Sequence, residues 1–420
     1  MTNTYVRMLR CAVLLTSASL MLALFVALVQ AQDNLTPEVS DRPEPMTQGP
    51  GSSTEAQADF TTDLALVAAA RSWTLQQAMA HRAISDEFGR IQEQIATDRP
   101  GLYAGAELSA VPDGAPTLYI KGNADEFVRG LVDSAGFSIQ VIEGRPFSWQ
   151  ELEARSIRLN RQLAGLGFGD IVTSFDESTS IVEAVVTRGP GRASASAEEV
   201  LAMLPAEFRS GIRLALIDED VAIDEHAYGG MWVRDDGVNE CTSGWSVTNG
   251  VTTGVTTAGH CAGINQIREP GVGVHALVHQ GEHRGQWGDV EWKTSTHIEP
   301  DDFYATATEV RDVAAVEPRG NITVGEAVCV YGRSSNSRDC SHTVFRTSIS
   351  CTNSGVFNDR LVAMNAKNTT IGGDSGGGWS FNFRAYGSHK GGCTVNNAVR
   401  NVFSVADLYD EALGVRVRTN

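Results

Sequence analysis

Six of the seven cysteines lie in one stretch of the chain, and this clustering is the strongest constraint that the sequence places on the fold. They are Cys241, Cys261, Cys329, Cys340, Cys351 and Cys393. The seventh, Cys11, lies in an apolar segment near the N terminus. An even number of cysteines in one region of an exported chain predicts disulfides, and six cysteines allow about 15 pairings. No C-x-x-C pair occurs, which disfavours a zinc or redox site.

The N-terminal segment predicts export. Arg7 and Arg10 precede an apolar run from Cys11 to Val29, and Val29-Gln-Ala31 matches the small-residue pattern of a cleavage site. We therefore predict a signal peptide over residues 1–31, cleaved after Ala31, and a secreted protein. An uncleaved membrane anchor is the alternative, because the run approaches the ~20 residues that span a bilayer.

The charge balance excludes two classes of partner. The chain has 51 acidic and 33 basic residues, which gives a formal net charge of −18. This net negative charge argues against binding to a nucleic acid, which needs a basic face to neutralise its phosphates. It is equally unsuited to an anionic membrane surface. We expect no nucleic acid and no membrane among its partners.

The remainder of the N-terminal half divides into a linker and an α+β region. Residues 32–58 are rich in proline, serine, glycine and acidic residues, which predicts a flexible linker. Residues 59–225 alternate helical and strand-like patterns and contain no cysteine. Asn123 is expected to cap one helix, and Ser148 with Glu151 forms a capping box at the start of another.

Residues 226–420 have a different character. Glycine, threonine and valine increase, helical patterns vanish except near the C terminus, and short alternating runs follow one another closely. These features predict an all-β domain, large enough to bury its own core.

Two segments of this β region carry residues suited to nucleophilic catalysis. One is Thr257-Ala-Gly-His260-Cys261 and the other is Gly372-Gly-Asp-Ser375-Gly-Gly377. A serine hydroxyl is a weak nucleophile at neutral pH and needs a base within hydrogen-bond reach. Histidine is suited to that role, because its pKa lies near the working pH. A carboxylate must then hold the imidazole in the correct tautomer.

The acid of this triad is expected between His260 and Ser375. Our choice is Asp289, which lies in Trp-Gly-Asp-Val-Glu-Trp just before an alternating, strand-like run. Asp301 and Asp302 are rivals. The glycines around Ser375 allow the backbone N–H groups of Gly373 and Ser375 to point into one pocket, where they would form an oxyanion hole.

In this order, the two segments resemble those of trypsin-like serine peptidases, and more closely the bacterial streptogrisin and α-lytic-protease group. The resemblance runs from about residue 229 to the end, and is weaker over the N-terminal half. It implies a chymotrypsin-like double six-stranded β-barrel with the active site between the barrels. It also implies a zymogen whose pro-region, residues 59–225, assists folding and inhibits the enzyme. The expected partners are this pro-region and peptide or protein substrates, and a monomer without cofactor or metal is expected.

The resemblance also implies roles for further residues. Asp374 would form a buried ion pair with a new N-terminal amine or with another partner. Processing is expected between about residues 218 and 229. The implied disulfides are Cys241–Cys261, Cys329–Cys340 and Cys351–Cys393.

The segment from residue 387 to residue 392 is expected to border the pocket for the substrate side chain that precedes the cleaved bond, the P1 side chain. In relatives that prefer glutamate, a histidine in this segment faces the substrate carboxylate, and His389 falls at the matching place. Lys390 adds a positive charge, and Gly391 and Gly392 complete the segment. A cation pair would favour an acidic P1 side chain through charge-assisted hydrogen bonds. A medium-sized apolar P1 side chain is the alternative.

Other readings of the sequence remain. His279-Gln-Gly-Glu282-His283 matches the H-x-x-E-H pattern of a zinc peptidase, which requires a helix. Glycines crowd this region, so we expect a hairpin with surface histidines instead. The chain could also be an inactive peptidase-like binding module, or an anchored surface protein whose N-terminal region carries the function.

Overall fold

The structure is a computed structural model, and it describes the greater part of the chain. The described residues are 53–168, 170–187, 196–208, 210–217, 222–224, 230–269, 273–295, 299–353, 355–365 and 369–420, with backbone alone for 53–59 and 222–224. The predicted signal peptide and most of the predicted linker lie outside these residues. Among the described helices, none has the length and hydropathy needed to cross a membrane.

The N-terminal half contains most of the helices. Its helices are α1 (Ser53–Arg71), α2 (Leu75–Asp98), α3 (Glu126–Ser134), α4 (Trp149–Gly165) and α5 (Ala197–Met203). Its strands are β1 (Tyr103–Glu107), β2 (Thr117–Lys121), β3 (Gln140–Arg145), β4 (Ile171–Asp176), β5 (Ile181–Thr187), β6 (Ile212–Ile217) and β7 (Ala222–Asp224). An α+β pattern is therefore present here, as the sequence predicts.

Two local expectations for this half were wrong. Residues 53–58 of the predicted linker belong to α1. Asn123 does not cap α3: the N-cap is Asp125, whose extended backbone lets its side chain accept the Val128 N–H at 2.9 Å. The capping box of α4 was correct, because Ser148 and Glu151 exchange side-chain and backbone hydrogen bonds.

The C-terminal half is almost entirely β. Its strands are β8 (Trp232–Asp235), β9 (Val238–Thr242), β10 (Ser246–Thr248), β11 (Thr253–Thr257), β12 (Gln266–Glu269), β13 (Gly273–Ala276), β14 (Val278–Gly285), β15 (Gly288–Thr294), β16 (Asp302–Tyr304), β17 (Val310–Asp312), β18 (Ala315–Val316), β19 (Cys329–Gly332), β20 (Ser337–Asp339), β21 (Val344–Asn353), β22 (Val356–Met364), β23 (Gly378–Phe381), β24 (Arg384–Val395), β25 (Ala398–Val405) and β26 (Arg416–Val417). One short helix, α6 (Tyr409–Leu413), lies near the C terminus.

The strands of the C-terminal half form several sheets. One has the order β14-β15-β11-β10-β26, a second has the order β13-β12-β8-β9, and β16 pairs with β17. The largest runs β20-β19-β23-β24-β25-β22-β21-β4-β5-β6, with β7 and β18 paired to β24. These sheets agree with the β-rich fold predicted for this region. Two closed six-stranded barrels stay a prediction, because none of these strand orders, within the described residues, closes on itself.

The two halves share one sheet and one core. Strand β4 pairs antiparallel with β21, which places Val172 opposite Cys351, so the N-terminal strands extend the largest C-terminal sheet. Leu64 and Val67 of α1 pack in a buried cluster with Trp379 and Phe403. At ~25 cal/mol per Å² of apolar surface removed from water, this burial favours the docked arrangement.

Candidate active site

The positions of His260 and Asp289 follow from one strand pair. Strands β11 and β15 are antiparallel, with Thr257 opposite Glu291. Chain that continues beyond Thr257 therefore meets β15 near Asp289. The Asp289 side chain accepts two hydrogen bonds from His260, from its backbone N–H to Oδ1 at 2.8 Å and from Nδ1 to Oδ2 at 3.0 Å.

The close contact between the His260 backbone and the Asp289 carboxylate requires a glycine at residue 259. A Cβ at residue 259 would lie 2.9 Å from Asp289 Oδ1, which is too close for a carbon atom. The glycine that precedes His260 in the sequence motif therefore has a steric reason. It lets the backbone of His260 approach the carboxylate.

Ser375 lies in a turn shortly before β23. Its Oγ is 3.0 Å from His260 Nε2, so the other ring nitrogen faces the hydroxyl. The turn is tied to its surroundings by hydrogen bonds from Thr242 N–H to Ser375 O and from Gly376 N–H to His389 O. Gly376 has φ of +89°, and a Cβ there would lie 2.4 Å from Thr242 O. The turn therefore requires glycine after the serine.

Three side chains thus form one hydrogen-bonded chain, from the Asp289 carboxylate through the His260 ring to the Ser375 hydroxyl. All three residues are buried. Burial alone would raise the pKa of Asp289, but the charges and hydrogen bonds of His260, with Lys390 and Arg284 nearby, lower it to about 2. The carboxylate is ionised at neutral pH and can stabilise a proton on the imidazole.

The rival acid Asp302 lies elsewhere. It is on β16, directly opposite Asp312 of β17. Burial and the neighbouring carboxylates of Asp312 and Asp301 raise the pKa of Asp302 to about 6. Asp289 is thus the acid that the structure brings to His260.

Asp374 is held by amides. It is buried, with Oδ1 accepting from the backbone N–H groups of Ser334 and Ser335 and Oδ2 from that of Ile371. These three partners, all within the described part of the chain, are neutral donors, and the expected new N-terminal amine falls in a segment that is largely outside the described residues. Gly373 has φ of +117°, a conformation that favours glycine, and the oxyanion hole of Gly373 and Ser375 stays a prediction.

The predicted pocket residues lie on β24. Trp379 Nε1 donates to His389 Nδ1 at 3.3 Å, and since indole is only a donor, neutral His389 carries its proton on Nε2. Lys390 points elsewhere: its Nζ is 3.9 Å from Asp289 Oδ2. His389 and Lys390 therefore do not form the expected pair of cations facing a substrate. Gly391 and Gly392 lie opposite Asp224 and Ile223 of β7.

The remaining sequence expectations concern the cysteines and the zinc-like motif. The three disulfides join Cys241 to Cys261, Cys329 to Cys340 and Cys351 to Cys393, as the resemblance implied. Such bonds are typical of oxidising compartments. His279 and His283 lie on strand β14 of a hairpin, as expected, and not on a helix.

Sequence reasoning missed several residues that support the site. Ser404 of β25 accepts the Asp289 N–H at 2.9 Å and fixes the backbone of the triad acid. Arg284 adds positive charge near the carboxylate, and Lys390, which was expected in the substrate pocket, does the same. These contacts join distant parts of the chain, and no local pattern in the sequence marks them.

Comparisons with known proteins give partial structural matches. No family model matches the chain, and no curated protein matches it. A solved protease A from Thermobifida fusca is 22% identical with a TM-score of 0.37, and the match covers 46% of this chain and 98% of that one. A chymotrypsin from Cellulomonas bogoriensis is 21% identical with a TM-score of 0.36, over 46% and 99%. A glutamic acid specific serine protease that uses a histidine triad in substrate binding is 21% identical with a TM-score of 0.37, over 46% and 100%. The geometry of the site is therefore the evidence for a function of this chain.

Proposed function

We propose that this chain is a secreted serine endopeptidase made as a zymogen. The single observation that carries the proposal is the hydrogen-bonded chain of Asp289, His260 and Ser375, with both of its side-chain contacts 3.0 Å long. Three residues from separate segments meet in the order that a nucleophile, its base and the orienting acid require.

In the proposed reaction, His260 acts first as a general base and then as a general acid. His260 Nε2 accepts the proton of Ser375 Oγ as the oxygen attacks the peptide carbonyl carbon. The same proton then passes to the leaving amine, the C–N bond breaks, and an acyl-enzyme remains on Ser375. Water, activated by His260, hydrolyses this ester and restores the serine. The backbone N–H groups of Gly373 and Ser375 are proposed to stabilise the oxyanion, with each donor contributing about 3 kcal/mol.

Labelling with a fluorophosphonate tests the catalytic part of this proposal. The reagent reacts only with an activated serine, so an inactive peptidase-like binding module would not be labelled. We expect one label per chain, on Ser375, and no label in the Ser375→Ala or His260→Ala variants. Labelling elsewhere, or none in the processed protein, would contradict the proposal.

The zymogen part is supported by β7. Its backbone pairs antiparallel with β24, with Asp224 opposite Gly391. Gly391 follows Lys390, whose carbonyl oxygen is 3.5 Å from Ser375 Oγ. The segment that precedes the predicted peptidase domain therefore occupies the sheet edge beside the nucleophile, where an extended peptide substrate could pair.

A folding role for residues 59–225 is supported by the shared sheet of β4 and β21 and by the non-local strand pairings of the C-terminal half. Such pairings fold slowly, and a preformed partner sheet provides a template. The test is to express residues 226–420 alone, with and without residues 32–225 supplied in trans. We expect active enzyme only with the second segment. Equal yields of active enzyme in both cases would exclude a folding role.

We further propose a preference for an acidic P1 side chain, served by the Nε2–H of His389. Its support is the Trp379 contact that leaves the His389 proton on Nε2. The measurement is kcat/KM for peptides that differ only at P1. Glutamate should exceed leucine and phenylalanine, and His389→Ala should remove the difference. A preference for apolar P1 side chains would favour the alternative reading.

A further inference from the structure

A buried lysine lies against the acid of the triad. Lys390 is almost fully buried, and its Nζ is 3.9 Å from Asp289 Oδ2. The same oxygen faces His260 Nδ1 at 3.0 Å. The carboxylate thus lies between two groups that can each be positively charged.

We propose that Lys390 is a positioning residue of the triad, which shares the Asp289 carboxylate with His260 and keeps the imidazole available as a base in acidic solution. This inference rests on the proposed peptidase function. The reaction itself is unchanged, since Lys390 exchanges no proton with the substrate.

The physical reason is the cost of a second charge. A buried ammonium needs a counter-ion, and Asp289 provides one. When His260 accepts a proton, the site gains an imidazolium that shares the Asp289 carboxylate with the Lys390 ammonium. The two cationic nitrogens are no farther apart than the 3.0 Å and 3.9 Å contacts combined. Their repulsion in a buried site favours the neutral imidazole.

Other charged groups near the Asp289 carboxylate also affect the protonation of His260. On β14, the charge of Arg284 lowers the pKa of Asp289, and the charge of Asp289 acts to raise the pKa of His283. On β15, burial raises the pKa of Glu291 to about 7, and the negative charge of Asp289 contributes to this rise. Ser404 of β25 contributes a neutral hydroxyl. Lys390 Nζ lies 3.9 Å from Oδ2, the oxygen that faces His260 Nδ1.

The experiment is the pH dependence of kcat/KM in enzyme released from the full-length chain. Lys390→Met removes the charge and keeps an apolar stem of similar length, and Lys390→Arg is the matched variant that keeps the charge. We expect the acidic limb of the profile to move up by about one pH unit in Lys390→Met. The limb should stay near the wild-type position in Lys390→Arg. An unmoved limb in an active Lys390→Met enzyme would overturn the inference.

A second readout separates this role from a role in the substrate pocket. If Lys390 served the pocket instead, Lys390→Met would raise KM for acidic P1 substrates over apolar ones and leave the limb in place, which would overturn the inference. Lys390→Gln, which removes the charge and keeps a polar side chain of similar length, covers the case in which Lys390→Met does not fold. Its acidic limb should also move up, and an unmoved limb in active Lys390→Gln enzyme would contradict the inference. A wild-type protein that hydrolyses no peptide and takes no fluorophosphonate label would instead contradict the proposed function.

Discussion

Asp63 and Arg338 are joined by two hydrogen bonds of 2.7 Å, from Nε to Oδ1 and from Nη2 to Oδ2, across a sequence separation of 275 residues. Arg311 Nη1 approaches Oδ2 at 3.0 Å, and the Asn382 N–H donates to it at 2.8 Å. All of these groups are buried or nearly so. The acid lies on α1 and both arginines lie in the C-terminal half, so one carboxylate ties the first helix to the β region.

Removing the Asp63 carboxylate should weaken this attachment strongly. Asp63→Ala leaves two guanidinium groups without their shared counter-ion, and breaking a buried pair in this way costs about 3–5 kcal/mol. The measurement is urea unfolding of the full chain in a Ser375→Ala background, which prevents self-cleavage. Asp98→Ala, an exposed position at the end of α2, is the control and should change the free energy of unfolding by less than about 0.5 kcal/mol. Equal effects of the two substitutions would contradict the anchoring role.

The Asp63 contact should also weaken in acid. Burial would raise the pKa of Asp63, but the hydrogen bonds and charges of Arg338 and Arg311 lower it overall. A lowered carboxyl pKa contributes stability that is fully present above the ordinary value of about 3.9 and is lost as the pH falls further. Asp63→Asn should therefore be far less stable than the parent at pH 7, with the difference shrinking below about pH 4. A difference that stays constant down to pH 2 would exclude this linkage.

Glu177 predicts the opposite pH dependence. It is buried and accepts hydrogen bonds from Trp149 Nε1, Thr347 Oγ1 and the Ala106 N–H, yet burial outweighs these donors and raises its pKa to about 7. A raised carboxyl pKa means that the unfolded chain releases its proton first as the pH rises. The free energy of unfolding should therefore fall between about pH 4.5 and pH 7, by up to about 3 kcal/mol from this group.

Glu177→Gln tests this contribution, because an amide does not titrate. In the Ser375→Ala background, the loss of stability between pH 5 and pH 8 should be smaller in Glu177→Gln than in the parent. Unfolding by urea at both pH values provides the comparison. Identical losses in the two chains would show that Glu177 is not the group responsible.

Self-cleavage should depend on Ser375 and occur just beyond β7. Strand β7 runs antiparallel to β24 and ends with Asp224 opposite Gly391, next to the residue whose carbonyl faces Ser375. We expect cleavage between Glu225 and His226, with a mature N terminus at His226, and an uncleaved precursor in Ser375→Ala. N-terminal sequencing of the secreted protein gives the answer. Normal processing of Ser375→Ala would show that another protease is responsible.

Local sequence patterns predicted the features that depend on short stretches of chain. The capping box at Ser148 predicts the start of α4 because its hydrogen bonds span three residues. Alternating patterns predicted β4 and β5 for the same reason. The glycines around His279 and His283 predicted the hairpin of β14 and β15. Asp289 was chosen over Asp302 from its context in the sequence, beside an alternating, strand-like run that follows His260. The pairing of β15 with β11, which brings Asp289 to His260, was not predicted.

Long-range contacts were beyond such patterns. Asp63 reads as one acidic residue in a helical segment, and its arginine partners follow more than 240 residues later. Lys390 was expected in the substrate pocket, because the resemblance implies that residues 387–392 border it. Its buried side chain instead lies near Asp289, at an irregularity in the pairing of β24 with β25 that no local pattern predicts. Asn123 failed as a cap because Asp125 provides a suitably placed oxygen two residues later.

The central claim is that Asp289, His260 and Ser375 act as one catalytic unit, and labelling by a fluorophosphonate tests it most directly. Mass spectrometry of the processed, secreted protein should find one phosphonyl group per chain, on Ser375. In chains whose N-terminal segment has been removed by an added protease, the label should be absent from His260→Ala and its rate of incorporation reduced by orders of magnitude in Asp289→Asn, in which the imidazole tautomer is no longer fixed. A processed protein that takes no label, or whose label on Ser375 appears at the same rate without His260, would contradict the account.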